Sequence, residues 1–123
     1  MSTQTILIVE DEPDILELLA MNFSRRGFRV LCATDGTEAL QQLRCSRPSL
    51  VLTDLCLPGH DGNEIVRFLR SDQRTATVPV IMISASPSAA LPQDDGGPDM
   101  FMRKPFGIRD ITAAVEELLH GAA

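Results

Sequence analysis

Five polar positions carry the chemistry this chain can do: Glu10-Asp11, Asp54, Ser84 and Lys104. Each lies at or near the end of an apolar run, where a charge costs free energy unless something stabilises it. Taken alone, Asp54 after Ser49–Thr53 reads equally as a helix or loop cap and as the working group of a site. Three carboxylates brought together repel, which raises at least one pKa unless a cation sits among them. A hard cation with oxygen ligands and retained waters meets that need, and Mg²⁺ suits a shallow rim offering one or two direct carboxylates. Such a site permits phosphoryl transfer to Asp54, because carboxylate nucleophiles form aspartyl-phosphates. The Ser84 hydroxyl and the Lys104 ammonium would join the cation in neutralising the transferring oxygens. Lys104 is the sole lysine among 11 basic residues. A coding bias towards arginine leaves open why this position keeps a compact ammonium in place of a planar fork.

The elements that must position these groups alternate between strand and helix patterns. Thr5–Val9 is an apolar strand run, and Pro13 after Glu10-Asp11-Glu12 suits the first turn of a helix. Ile15, Leu19 and Phe23 recur at helical spacing until Arg25-Arg26-Gly27. Phe28–Ala33 is a second strand. Asp35-Gly-Thr-Glu38 is a capping-box pattern opening a helix through Ala39, Leu40 and Leu43. Ser46-Arg47-Pro48 ends that helix and Ser49–Thr53 comes next as a third strand, closed by the Pro58-Gly59 turn. Asp61-Gly-Asn-Glu64 repeats the capping pattern before Ile65, Phe68 and Leu69. Val78–Ile83 and the shorter Asp99–Met102 are the last strands, and Ile108, Ile111, Val115 and Leu118 form the stripe of a final helix. Between Ser84 and Asp99, Pro87, Pro92, Gly96, Gly97 and Pro98 limit any fourth helix to a stunted one beside a mobile loop.

This alternation argues for an α/β fold, a doubly wound five-stranded parallel sheet of flavodoxin-like type with helices on both faces. The common order 2-1-3-4-5 sets strands 1 and 3 side by side where the winding reverses, and ligands bind there beyond the strands' carboxyl ends. Glu10-Asp11, Asp54, Ser84 and Lys104 then share one rim.

On these residues the chain resembles the receiver domains of two-component response regulators, over essentially its whole length. The motifs are Val9-Glu10-Asp11-Glu12-Pro13, the run Asp54-Leu-Cys-Leu-Pro-Gly-His-Asp-Gly62, Ser84-Ala85 and Phe101-Met-Arg-Lys-Pro-Phe106, in that order and spacing. The resemblance implies that Asp54 is the phosphoacceptor in a reaction dependent on Mg²⁺ or Mn²⁺. Asp11 would bind the cation directly with Asp54, Glu10 through water, and the backbone carbonyl of Cys56 would complete the protein ligands. Ser84 and Lys104 would bind the phosphoryl group, Phe101 would turn inward once Ser84 shifts, and Lys104-Pro105 would be a cis bond. The donor would be a phosphohistidine on a histidine kinase or histidine phosphotransfer protein. A downstream effector would read the altered face of strand 4, strand 5 and the last helix. By the same likeness the domain is no metabolic enzyme, catalysing only its own phosphoryl transfer and slow autodephosphorylation. Residues 1–123 would form a single receiver domain without an output domain.

Bland readings stand beside these. Glu10, Asp11 and Glu12 also favour a helix N-terminus electrostatically, Ser84 can cap the segment after it, and Phe101 can be plain core. Ser84 stands where the family more often has Thr, keeping the hydroxyl without the stiffness of the β-branch. His60 reads as a solvated loop residue, and Cys56, two residues past Asp54, brackets the site.

The main alternative is a phosphate-independent, pseudo-receiver interaction module on the same fold, supported by the stunted fourth helix. An aspartyl-phosphate phosphatase would want a second Asp where Cys56 stands. A flavin phosphate would be repelled by Glu10-Asp11-Glu12. The net charge of −6 and the scattered arginines argue against direct nucleic-acid binding. No run approaches membrane-spanning length, and Cys32, Cys45 and Cys56 have no metal-ligand spacing. The odd cysteine count suits reduced core or loop thiols in the cytoplasm.

Overall fold

The computed structural model describes residues 3–85 and 96–121. Nine elements alternate along them: β1 (Thr5–Val9), α1 (Pro13–Arg25), β2 (Arg29–Ala33), α2 (Gly36–Cys45), β3 (Leu50–Asp54), α3 (Gly62–Ser71), β4 (Val80–Ser84), β5 (Met100–Arg103) and α4 (Ile108–His120). The strands form one parallel sheet in the order β2-β1-β3-β4-β5. The expected architecture and strand order are therefore observed. Of the expected stunted helix and loop at 87–98, residues 87–95 lie outside the described residues.

Side chains alternate across the sheet because successive Cβ atoms point to opposite faces. Ile6 and Ile8 of β1, with Leu50 and Leu52 of β3, meet Leu19 and Phe23 of α1 and Ile111 and Val115 of α4. Leu7, Val9 and Val51 point the other way, onto Ala39 and Leu43 of α2 and Ile65, Val66 and Leu69 of α3. Two apolar layers on one sheet explain why β3 and β4 are buried along their whole length and read as continuous apolar runs.

The boundaries differ from the sequence expectations in physically legible ways. Strand β3 includes Asp54 and starts at Leu50, because the Ser49 hydroxyl accepts the Thr5 N–H at 3.0 Å just below the sheet. Strand β4 starts at Val80, since the Val78 N–H closes a turn onto the Thr75 carbonyl at 3.1 Å. Strand β5 is displaced one residue because the Asp99 side chain accepts the Val80 N–H at 2.8 Å.

The two capping patterns also diverge. Asp35 accepts the Glu38 N–H at 2.7 Å, and Glu38 reaches back to the Thr34 N–H at 3.1 Å. Asp61 accepts the Glu64 N–H at 3.0 Å, but the Glu64 side chain pairs with His60 and the reciprocal half of that box is absent. All three cysteines are free and exposed, so of the two expected placements, core or loop, none is in the core: Cys32 lies on the edge strand β2, Cys45 ends α2, and Cys56 sits at the rim.

Candidate functional site

The register brings the polar ends level. Val9 pairs with Thr53, Asp54 with Ile83, and Ser84 with Arg103, so Glu10, Asp54, Ser84 and Lys104 all leave the sheet at one edge. A cleft of about 260 Å³ opens there, lined by Asp11, Glu12, Asp54, Cys56, Ser84, Ala85 and Lys104. Glu10, Asp54 and Ser84 are buried at 2%, 5% and 4% exposure, which is unusual for two carboxylates of one rim. Asp11 is exposed at the mouth.

Glu10, Asp11 and Asp54 each offer a carboxylate oxygen, and these three oxygens lie within 4.8 Å of one another. Lys104 reaches into the group: its Nζ is 2.9 Å from Asp54 Oδ2, 3.5 Å from Glu10 Oε1 and 3.9 Å from Glu12 Oε1. Burial pushes the Glu10 carboxyl up to about 7; the Glu12 N–H donated to it at 3.1 Å opposes that shift, and nearby Asp54 adds to it. Burial acts against the Lys104 ammonium, yet its hydrogen bond to Asp54 and the charges of Asp54, Glu10 and Glu12 hold its pKa above the ordinary value. One ammonium against four acidic groups leaves the cleft strongly negative. The donor set is all oxygen and fits a hard divalent cation.

Local structure explains how the rim is held. The loop from Leu55 to Asp61 is fixed at two points by glycines with no room for a side chain. A Cβ on Gly62 would lie 2.5 Å from the Asp54 carbonyl oxygen and 2.7 Å from Met82 Sδ, and the Gly62 N–H bonds the Leu55 carbonyl at 2.8 Å. At Gly36, the first residue of α2, a Cβ would lie 1.6 Å from the His60 carbonyl oxygen, while its N–H bonds the Pro58 carbonyl at 3.1 Å. Helix α2 carries no cleft residue, but its N-terminus holds the loop that carries Cys56.

Five of the expected site residues, Asp11, Asp54, Cys56, Ser84 and Lys104, therefore line the cleft, and Glu10 stands directly behind it. Phe101 stays apart, half-buried on β5 and packed on the layer beneath α2 and α3. His60 lies outside the cleft as a loop residue paired with Glu64, whose carboxyl is held below its usual range by that hydrogen bond. The Lys104-Pro105 bond is cis, as the resemblance implies. Sequence reading missed Glu12 as a partner of Lys104 and missed Gly36 altogether. The signal for Gly36 was a glycine, a poor helix former, at the first helical position of a capping box.

Residues 6–116 match the response regulator receiver domain family. The chain is 37% identical to the transcriptional regulatory protein GltR of Pseudomonas aeruginosa over 121 residues, covering 97% of this chain and 50% of that protein. It spans about half the length of the curated relatives it matches. The receiver domain of a signal transduction histidine kinase from Syntrophus aciditrophicus superposes with a TM-score of 0.85 at 30% identity, covering 98% of this chain and 92% of that one. The chemotaxis response regulator CheY4 of Vibrio cholerae shares the fold, with a TM-score of 0.88 at 23% identity over 96% of this chain and all of that one. By its family match, its sheet order and its acidic rim, this chain belongs to the receiver domains of two-component response regulators.

Proposed function

We propose that Asp54 is the phosphoacceptor of this receiver domain and takes its phosphoryl group from a phosphohistidine on a histidine kinase or histidine phosphotransfer protein. An Asp54 carboxylate oxygen forms the new O–P bond as the P–N bond to imidazole breaks, and the imidazole nitrogen regains a proton. Lys104, 2.9 Å from Asp54, is the single observation that carries this reading, because it sets a fixed cation where the transferred charge arrives. Asp11, Asp54 and the backbone carbonyl of Cys56 would hold Mg²⁺ or Mn²⁺, and Glu10 would act on it through water. When bound, the cation supplies the remaining positive charge that phosphoryl transfer requires.

The Ser84 hydroxyl receives a phosphoryl oxygen, and Phe101 turns inward as Ser84 moves. A phosphoryl group adds about −1.5 to −2 charges at pH 7. That charge biases the surface of β4, β5 and α4, which a downstream effector protein or domain reads. The domain removes its own phosphoryl group slowly and acts on no metabolite. Residues 1–123 act as one receiver unit in the cytoplasm, without direct nucleic-acid contact. Among the described residues no helix is long and apolar enough to cross a membrane.

Intact-protein mass spectra taken with Mg²⁺ and a small acyl-phosphate donor test this. A single phosphoryl adduct is expected, absent without a divalent cation and absent in Asp54→Asn. A folded protein that takes no adduct, or an adduct that survives Asp54→Asn, overturns the assignment.

A further inference from the structure

At the edge of the sheet, where β2 begins and α2 has just ended, a recess of about 220 Å³ is lined by Thr5, Arg29, Leu31, Ser46, Arg47 and Pro48. Two guanidinium groups line it and no carboxylate does, in a chain of net charge −6. Both arginines are exposed. Arg29 forms no side-chain hydrogen bond or ion pair among the described residues. Arg47 engages only its Nε, on the Arg74 carbonyl at 2.8 Å, and its two Nη groups have no partner among the described residues. The Thr5 and Ser46 hydroxyls are likewise unengaged among them.

Carbonyls at the end of a helix ordinarily receive such cations. Here the Gln42 carbonyl accepts the Ser46 N–H at 2.9 Å and the Leu43 carbonyl accepts Arg74. Two like charges on one recess repel. Carboxylates relieve such repulsion by taking up a proton, but a guanidinium stays charged in a protein. Solvent or an anion must offset it. The donors are also held in place before any anion arrives. The Arg29 N–H bonds the Gln4 carbonyl at 2.9 Å, and Arg29 pairs with Thr5 across the ladder. By strand alternation its side chain shares the face of Leu31, which packs on the layer beneath α2 and α3. Pro48 is buried and restricts Arg47 to extended backbone, and Ser46 is extended as well, at φ −139° and ψ 150°. Donors fixed in this way lose less freedom on binding.

We propose that this recess binds a tetrahedral dianion, phosphate or the phosphoryl head of a small phosphomonoester, between Arg29 and Arg47, with the Thr5 and Ser46 hydroxyls as further donors. A planar guanidinium fork meets two oxygens of such an anion at once. Two positive charges balance the charge of about −1.5 to −2 that a phosphomonoester carries at pH 7. The recess is smaller than the roughly 300–1,000 Å³ usual for a whole small-molecule ligand. It therefore takes the phosphoryl head and leaves any organic remainder outside. Exposed donors compete with water, so the affinity is modest, with a Kd of about 1 mM. The site stands apart from the Asp54 chemistry, because none of its residues lines that cleft.

Titration of the full chain with sodium phosphate tests it, without divalent cation and at constant ionic strength, read by NMR on the arginine Nε–H groups and the backbone amides. Saturable shifts are expected at Arg29, Arg47 and Ser46, and sulfate is expected to displace phosphate from them. Arg29→Gln removes no hydrogen bond or ion pair among the described residues, so it should keep the wild-type Tm and weaken phosphate binding at least tenfold. Arg29→Lys should restore only part of that loss, since an ammonium lacks the fork. Adenosine monophosphate is expected to move the same signals and adenosine to leave them still. Tighter binding of the monophosphate than of phosphate identifies an organic ester as the source; equal or weaker binding identifies free phosphate. Shifts that chloride or adenosine reproduces, or that Arg29→Gln retains in full, overturn the proposal, as does a titration that shows no saturation by about 20 mM phosphate. Shifts confined to Asp54, Ser84 and Lys104 also overturn it and assign the anion to the cleft already described.

Discussion

The two rims of the sheet treat charge in opposite ways. At the amino ends of the strands, arginines terminate on fixed backbone carbonyls. Arg70 donates to the carbonyls of Ala76 at 3.1 Å and Val78 at 2.7 Å and to Asp99 Oδ2 at 2.8 Å. Arg47 donates to the Arg74 carbonyl at 2.8 Å, and Arg74 in turn to that of Leu43. Arg70 ties the end of α3 to the segments entering β4 and β5, Arg47 and Arg74 tie the segment after α3 to the end of α2 and the loop after it, and the compensation is local. At the carboxyl ends, Glu10, Glu12 and Asp54 share one ammonium with Asp11 close by, and two of those carboxylates, Glu10 and Asp54, are buried. The lower rim is a set of completed contacts; the upper rim holds an excess of negative charge against burial. A structural contact gains nothing from such an excess, whereas a site that recruits a cation and then a phosphoryl group depends on it.

The sharpest way to separate the rims is to remove the upper cation. Lys104→Met should slow phosphoryl transfer from a small donor by about 100-fold or more, since a fixed charge is lost where charge develops. The folded state should survive and be recovered towards wild type by Mg²⁺, read as a thermal shift. The reverse pattern is expected at the lower rim. Arg70→Met removes the donor to the Ala76 and Val78 carbonyls and one donor to Asp99, and should cost about 2–3 kcal/mol of stability in a denaturant titration. Its Mg²⁺ affinity should match the wild type, and a large loss of affinity would erase the division of labour between the rims.

Gly36→Ala tests whether α2 contributes to the upper rim at a distance. The added methyl must displace the His60 carbonyl, costing about 1–3 kcal/mol as overpacking does. If α2 positions the loop that carries Cys56, Mg²⁺ affinity by calorimetry falls several-fold as well; unchanged affinity would confine Gly36 to stability. The smallest effect concerns pH. The Glu10 carboxyl has its folded pKa near 7, above the unfolded 4.5, so the native state binds the extra proton between those values. Stability from this group is present below pH 4.5 and is lost as pH rises to about 7. Glu10→Gln should therefore raise the Tm of the metal-free protein at pH 7.5 and flatten its decline across that window. A wild-type Tm that rises through the window would overturn this account.

Much of the upper rim is legible in the chain itself. Asp54 after a largely apolar run, the acidic group before Pro13 and the lone lysine before Pro105 are anomalies of type and place. Periodicity, together with capping, proline and turn signals, located the nine described elements, with ends displaced by a residue or two. Those displacements came from contacts that periodicity does not encode, such as Asp99 accepting the Val80 N–H nineteen residues earlier. The cysteines stayed open between core and loop for a related reason: Cys32 sits in a strand pattern, but whether a strand is central or at an edge depends on the order of the sheet.

The sequence by itself determined the alternation of elements, the parallel sheet that alternation requires, and the identity of the groups at the strand ends. Those are properties of local pattern and of residue chemistry, and they survive any small shift in packing. Tertiary structure alone decided which carboxylates are buried, that Lys104 lies nearest Asp54 and reaches Glu12 as well, and that the first residue of α2 presses on the loop beyond Asp54. It also decided that Phe101 rests in the apolar layer away from the cleft. These are distances between elements far apart in the chain. Burial and Coulomb energies vary over a few ångströms, a scale set only when the helices close on both faces of the sheet.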